Sequence, residues 1–276
     1  MVTPRAAPAW LYGTAWKEDR TAGLTELALR IGFRGIDTAN QRRHYLEAAV
    51  GEALAAAYSA GVAARGDLFL QTKFTFMSGQ DHRLPYDPAA DLSTQVAQSL
   101  ASSLEHLRTD YVDSFLLHGP ASSRGWSVED AEVWAAMIAA RTAGRTRAVG
   151  VSNVALRHLE QMVAAGAEPP AFVQNRCFAR LGWDREVRAF CAERGIVYQG
   201  FSLLTANPEV VRHRLVAGIA ARAGATAAQV VFRFVRAVGI LPVIGTTSAE
   251  HMRQDLASDA LALAPDEVRA IESLAG

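Results

Sequence analysis

The chain has 276 residues, half of them apolar, with 28 basic and 28 acidic side chains and no formal net charge. That length suits one large domain with a sizeable core, and the charge balance leaves no basic excess to hold nucleic acid or an anionic membrane. Cys177 and Cys191 lack metal-type spacing, no stretch approaches the ~20 apolar residues of a membrane span, and residues 1–9 carry two prolines rather than a secretory leader, so a cytoplasmic protein without a metal is expected.

Short runs of Ile, Val, Leu and Phe alternate along the chain with helical patterns. The first run, 10–13, is followed by a helix face of Leu24, Leu27, Ala28 and Ile31 that stops at Gly32. Runs at 33–36 and 68–72 come next, then a stripe of Leu92, Val96, Leu100, Leu104 and Leu107 at helical spacing. After the run 112–117, Ser127 with Asp130 reads as an N-cap ahead of 133–138, and Gly144 closes that helix. The run 147–151 precedes a face of Leu156, Leu159 and Val163 ended by Gly166. The run 171–173 precedes Val187, Phe190 and Cys191, ended by Gly195. Runs at 196–201 and 240–244 complete eight strands, and a last helix is expected over 265–274.

The runs are continuously apolar rather than alternating, as parallel strands covered on both faces are. An open doubly wound sheet would bring a glycine-rich dinucleotide loop after its first strand, but Thr14-Ala15-Trp16-Lys17 stands there and no GxGxxG or GxxxxGK[ST] occurs. The expected fold is therefore α/β, a (β/α)₈ TIM barrel, as a single domain over 1–276.

Polar residues stand at every strand's C-terminal end: Thr14, Asp37, Lys73, His118, Ser152-Asn153, Gln174-Asn175, Ser202 and Thr246. In a closed barrel those ends converge on one face, where active sites lie. Each alone reads equally well as a loop former. Asp37, Lys73 and His118, on neighbouring strands, are less easily dismissed, because a buried Lys–Asp pair is a poor source of stability and suggests chemistry. The lysine could form a Schiff base with a carbonyl substrate, or lower the pKa of a nearby phenol such as Tyr45.

The same residues carry a resemblance. GFRGIDTA at 32–39, LQTK at 70–73, DYVDSFLLH at 110–118, GRTRAVGVSN at 144–153, VQN at 173–175, GIVYQGFS at 195–202 and PVIGTTSAEH at 242–251 resemble, in order and spacing, the aldo-keto reductase family over nearly the whole chain. The resemblance implies an Asp–Tyr–Lys–His tetrad in which Asp37 and Lys73 lower the pKa of the tyrosine. That tyrosine protonates the carbonyl oxygen as hydride arrives, and His118 orients the carbonyl. It further implies a nicotinamide cofactor, NADP with NAD possible. Ser152, Asn153 and Gln174 would hold its carboxamide and Phe201 would stack on its ring. Thr14, Ser202, Leu204, Gly245, Thr246, Thr247, His251 and Asp255 would complete the cofactor site.

Three features depart from the family's pattern. Arg42 stands where its tyrosine would fall, and the loop 40–47 is about two residues longer, so Tyr45 is expected in the role, with His44 the alternative. Arg42-Arg43-His44 reads as a solvated loop or as an attractor of anionic substrates. The positions that usually supply cations for the 2′-phosphate are near Gly245 and His251, Asp255 replaces an asparagine, and Arg253 is close by. The sequence ends at Gly276 soon after its last helix and Gly119 follows His118, so an open pocket lined by Trp16, Phe76 and Trp126 is expected. A small carbonyl compound is the expected partner of a monomer or weak homo-oligomer. A Lys73 Schiff-base aldolase and a non-enzymatic nucleotide-binding sensor or scaffold are the competing readings.

Overall fold

The computed structural model describes residues 7–274. Eight parallel strands close into a barrel in sequence order: β1 (Leu11–Gly13), β2 (Gly35–Asp37), β3 (Phe69–Phe74), β4 (Val112–Leu117), β5 (Thr146–Ser152), β6 (Phe172–Arg176), β7 (Val197–Phe201) and β8 (Leu241–Ile244), with β1 pairing back to β8. Helices α1 (Thr21–Ile31), α2 (Glu47–Ser59), α3 (Leu92–Leu107), α4 (Val128–Thr142), α5 (Leu156–Ala164) and α6 (Arg185–Glu193) cross between successive strands. Between β7 and β8 run α7 (Pro208–Val211), α8 (Arg214–Ala223) and α9 (Ala227–Ala237), and after β8 come α10 (Ala249–Ala257) and α11 (Pro265–Glu272). No single helix among the described residues is long and apolar enough to cross a membrane.

Two apolar layers hold the barrel. The larger lies between sheet and helices and includes Ile36, Leu70, Phe115, Val149, Val173, Tyr198 and Ile244. The smaller fills the barrel floor with Leu11, Phe69, Leu116, Phe172 and Leu241, where the Phe69 and Phe172 rings meet edge-on at 5.6 Å. Side chains alternate across a strand, so the residue two places on from each floor residue sits one layer higher in the barrel. From Phe69 that step leads to Gln71 and then Lys73; from Phe172 it leads to Gln174. The upper barrel is therefore polar while its floor is apolar.

The strand positions agree with the apolar runs, but several strands extend further. Asp37 closes β2, Lys73 lies inside β3, and Gln174 and Asn175 lie inside β6, so these residues do not follow their strands. The barrel interior accepts polar residues because each is hydrogen-bonded to a neighbour. The helix ends are as expected at α4. Ser127 Oγ accepts the Asp130 N–H at 3.2 Å, Asp130 Oδ2 accepts the Ser127 N–H at 2.9 Å, and Gly144 follows with φ 76°. On α5 the expected face is corrected: Val163 is exposed and Met162 takes the buried position beside Leu159. A helix of nine residues has too few turns for three apolar residues to fix its phase.

Helices α2 and α3 approach unusually closely at Gly51. A Cβ there would come within 1.9 Å of the His106 carbonyl oxygen. Alanine favours a helix over glycine by ~1 kcal/mol, yet the clash with backbone reverses the sign. Gly51→Ala is expected to destabilise the chain by about 1–3 kcal/mol or more, seen as a lower urea midpoint.

Candidate active site

The C-terminal ends of the strands open into a cavity of about 1190 Å³. Drug-sized ligands occupy ~300–1,000 Å³, so this volume suits a larger ligand, or two together. Backbone strain clusters at its rim. Trp16 after β1, Asn153 after β5 and Ser202 after β7 all hold positive φ, at 62°, 57° and 57°. Such conformations persist where the surroundings over-determine them, and functional sites are where they gather.

Asp37 is the hub of the upper barrel. Its Oδ1 accepts from Lys73 Nζ at 2.6 Å, from Gln71 Nε2 at 2.7 Å and from Gln174 Nε2 at 3.1 Å. Lys73 donates a second bond to the Thr38 carbonyl at 2.8 Å and is only 1% exposed. Burial pushes the Lys73 ammonium below its ordinary pKa, and Asp37 pulls in the opposite direction. Gln199, also buried, bridges Gln71 and Gln174. Gln174 thus spends its amide hydrogens on Asp37 and Gln199, which leaves Oε1 for a ligand in the cavity it lines.

The loop between β2 and α2 brings Tyr45, rather than His44, to this hub. The Tyr45 ring meets the His118 ring edge-on at 5.9 Å, and Lys73 Nζ lies 5.5 Å from its centre. His44 also lines the cavity, but its ring is tilted against the Trp16 indole at 3.8 Å, with Nδ1 bonded to Gln41 Oε1 at 2.9 Å. Gln41 sets this register. Its carbonyl accepts the Tyr45 N–H at 3.0 Å, while its Nε2 reaches across to the Gly79 carbonyl at 2.6 Å. Burial, and after it the Asp37 carboxylate, push the Tyr45 hydroxyl above its ordinary pKa. The lowering expected from Lys73 does not set the direction: its ammonium is engaged with Asp37 and Thr38, and burial dominates. Tyr45 therefore keeps its proton at neutral pH.

His118 follows β4 and lines the same cavity. Burial first, then Lys73 and His44, push its imidazole down to about 3, so the ring is neutral. Its Nδ1 lies 2.7 Å from the Thr75 hydroxyl. Ser152 is fully buried and donates from Oγ to the Gln174 carbonyl at 2.7 Å, and Asn153 Nδ2 donates to the His118 carbonyl at 2.7 Å. Both line the cavity with Phe201, Ser202, Leu204, Gly245, Thr246, Thr247, His251 and Asp255, and Trp16 and Phe76 stand at its other side.

Two expected site residues fall elsewhere. Thr14 is fully buried and donates from Oγ1 to the Asp37 carbonyl at 3.1 Å, fastening β1 to β2 without lining the cavity. Trp126 is also absent from the cavity wall. The Ser127 cap seats it at the start of α4, where its ring meets Trp134 edge-on at 6.3 Å and its backbone N–H donates to Gln161 Oε1 at 2.8 Å. Trp126→Phe is accordingly expected to leave the KM of any substrate unchanged, which steady-state kinetics would check.

Lys17 is a wall residue that motif reading passed over. It is 3% exposed, its Nζ donates to the Gly245 carbonyl at 2.8 Å, and it lies 5.1 Å from the Tyr12 ring centre. Among the described ion pairs none gives it a carboxylate, and burial, then Arg20, pushes it down to about 8. A buried ammonium without a counter-charge on the wall of a cavity is a place for an anionic ligand. A compositional signal marks it: Lys17 and Lys73 are the chain's only lysines among 28 basic residues.

Asp255, on α10, is 4% exposed, and burial pushes its carboxyl from 3.8 up to about 7. The folded chain then holds this proton more tightly than the unfolded chain. Stability from this group is complete below about 4 and is lost as pH rises towards 7. Urea midpoints of Asp255→Asn, compared with the parent across that window, should lack this decline.

Comparison with known proteins shows the family and the fold. Residues 9–207 match the aldo/keto reductase family. An aldo-keto reductase of Mycolicibacterium vanbaalenii is 34% identical over 248 residues, which are 90% of this chain and 80% of that one. A methylglyoxal reductase of Escherichia coli O157:H7 is 33% identical over 272 residues, 98% of this chain and 93% of its own. Among solved structures, an aldo-keto reductase of Bombyx mori in complex with NADP superposes with a TM-score of 0.82 at 22% identity, covering 97% of this chain and 89% of that one.

Proposed function

We propose, from the premise that this chain belongs to the aldo/keto reductase family, that it reduces an aldehyde or ketone to an alcohol with NADPH, Tyr45 supplying the proton. The observation that carries this reading is the convergence of Tyr45, His118 and Asp37 on one cavity, with Lys73 bonded to Asp37 and 5.5 Å from the Tyr45 ring centre. The walls fit the cofactor. The unpaired ammonium of Lys17 suits a pyrophosphate, Gln174 Oε1 is free to accept from a carboxamide, and the N-terminus of α10 at Ala249 adds a positive dipole end beside Thr246 and Thr247. Bound there, NADPH supplies the hydride.

The protein's own residues then do three things. His118, neutral, offers a hydrogen bond to the substrate oxygen and orients it. Tyr45 keeps its proton in the resting site and gives it up as negative charge develops on that oxygen. Lys73 steadies the resulting phenolate through its place between Asp37 and the Tyr45 ring. A Schiff base is disfavoured, since Lys73 is committed to two acceptors and does not line the cavity. Gly119, Trp16 and Phe76 line the same cavity, whose volume leaves room for substrates larger than a two-carbon aldehyde.

Separate titrations with NADPH and NADH, followed by an aldehyde panel that includes methylglyoxal, test the proposal. Saturable NADPH binding with turnover of at least one carbonyl is expected. Binding without turnover would leave the nucleotide-sensor reading in its place.

A further inference from the structure

Thr75 stands directly after β3, is 6% exposed and places its Oγ1 2.7 Å from His118 Nδ1. A neutral imidazole carries one proton, and this contact decides which nitrogen holds it. If Nδ1 held the proton, Thr75 Oγ1 would accept it, and the hydroxyl hydrogen would be left without an acceptor, because among the described residues Oγ1 forms no other hydrogen bond. Nε2 would then face a ligand as a lone pair and repel a carbonyl oxygen. If Thr75 donates to Nδ1, both the hydroxyl and Nδ1 are satisfied, and Nε2 carries the ring hydrogen, free for a ligand.

We propose that Thr75 is a positioning residue that donates its hydroxyl hydrogen to Nδ1 and so holds the His118 proton on Nε2, where it meets the substrate oxygen. This rests, in its catalytic part, on the reduction reading above.

The surrounding structure fixes Thr75 for that task. Its carbonyl accepts from Tyr86 Oη at 2.8 Å and from Gln80 Nε2 at 3.4 Å, and the same Gln80 amide reaches the Asn40 carbonyl at 2.9 Å. Its methyl group lies against Gly79, where a Cβ would come within 2.7 Å of Thr75 Cγ2. Gly79 in turn accepts from Gln41, the residue that registers Tyr45. One set of bonds thus positions the proton donor and the tautomer of its neighbour together. Low basicity of His118 supports the assignment, because a neutral ring has a tautomer to choose.

The test pairs a spectrum with kinetics. Two-bond ¹H–¹⁵N correlation spectra of the ¹⁵N-histidine protein, alone and with NADPH, report the tautomer, with the His118 signals identified by their loss in His118→Asn. The parent is expected to show the Nε2–H form. Thr75→Val, nearly isosteric, is expected to lose that preference and to lower kcat by about 10- to 100-fold with NADPH affinity unchanged. Thr75→Ser is expected to restore both. A parent in the Nδ1–H form, or a Thr75→Val variant that keeps both tautomer and kcat, overturns the inference. If the parent shows Nε2–H and Thr75→Val shifts it, yet no carbonyl is ever turned over, the tautomer assignment stands and the reduction reading fails.

Discussion

Tyr45→Phe is expected to lower kcat for carbonyl reduction by about a hundredfold to ten-thousandfold, the range that a positioned general acid contributes, while the NADPH dissociation constant stays where it is. The substitution removes one oxygen and keeps the ring that meets His118 edge-on and lies 5.5 Å from Lys73 Nζ. Folding should be unaffected, since the hydroxyl makes no hydrogen bond among the described residues and the loop is held by the backbone bond to Gln41. His44→Phe is the contrasting variant. His44 is stacked on Trp16 and tied to Gln41, so its loss should act on KM more than on kcat. Stopped-flow measurement of the reduction step in both variants separates the two. If His44→Phe were the one that abolished the chemical step, the proton donor would be misassigned.

Lys73→Met should fail twice, in stability and in turnover. Methionine fills nearly the same volume but leaves the Asp37 carboxylate buried with only the Gln71 and Gln174 amides, and leaves the Thr38 carbonyl without its donor. Removing one partner of a buried ion pair costs about 3–5 kcal/mol, because the remaining charge is uncompensated. A lowered urea midpoint at unchanged m-value would show it. The double variant Asp37→Asn with Lys73→Met should regain much of that stability, since neither charge remains, without regaining activity. Stability recovered together with turnover would mean that the pair is structural only.

The barrel was legible because its physics is local. Buried parallel strands announce themselves as apolar runs, and Ser127 with Asp130 or Gly144 mark helix ends through their own backbones. Asp37, Lys73 and His118 were legible for a related reason, as ionisable groups at the C-terminal ends of neighbouring apolar runs. Tyr45 was expected from the sequence with His44 as the alternative, and what separates the two is a contact between distant loops, Gln41 reaching Gly79, 38 residues away. The residues missed depend on contacts of the same kind. Thr75 is an ordinary turn residue until His118, 43 positions later, is set beside it. Trp126 looked like a pocket aromatic because it lies in a βα loop, but the cap that starts α4 turns it towards Trp134. Lys17 was hidden by its neighbours in a polar loop, although the scarcity of lysine marked it.

Isotope tracing puts the most direct question to the mouth of this barrel. With NADPH deuterated at the transferring C4 position and an aldehyde that the protein turns over, the label is expected on the carbinol carbon of the alcohol, one deuterium per product. Product free of deuterium, or an aldehyde trapped on Lys73 by borohydride, would contradict direct hydride transfer beside Tyr45.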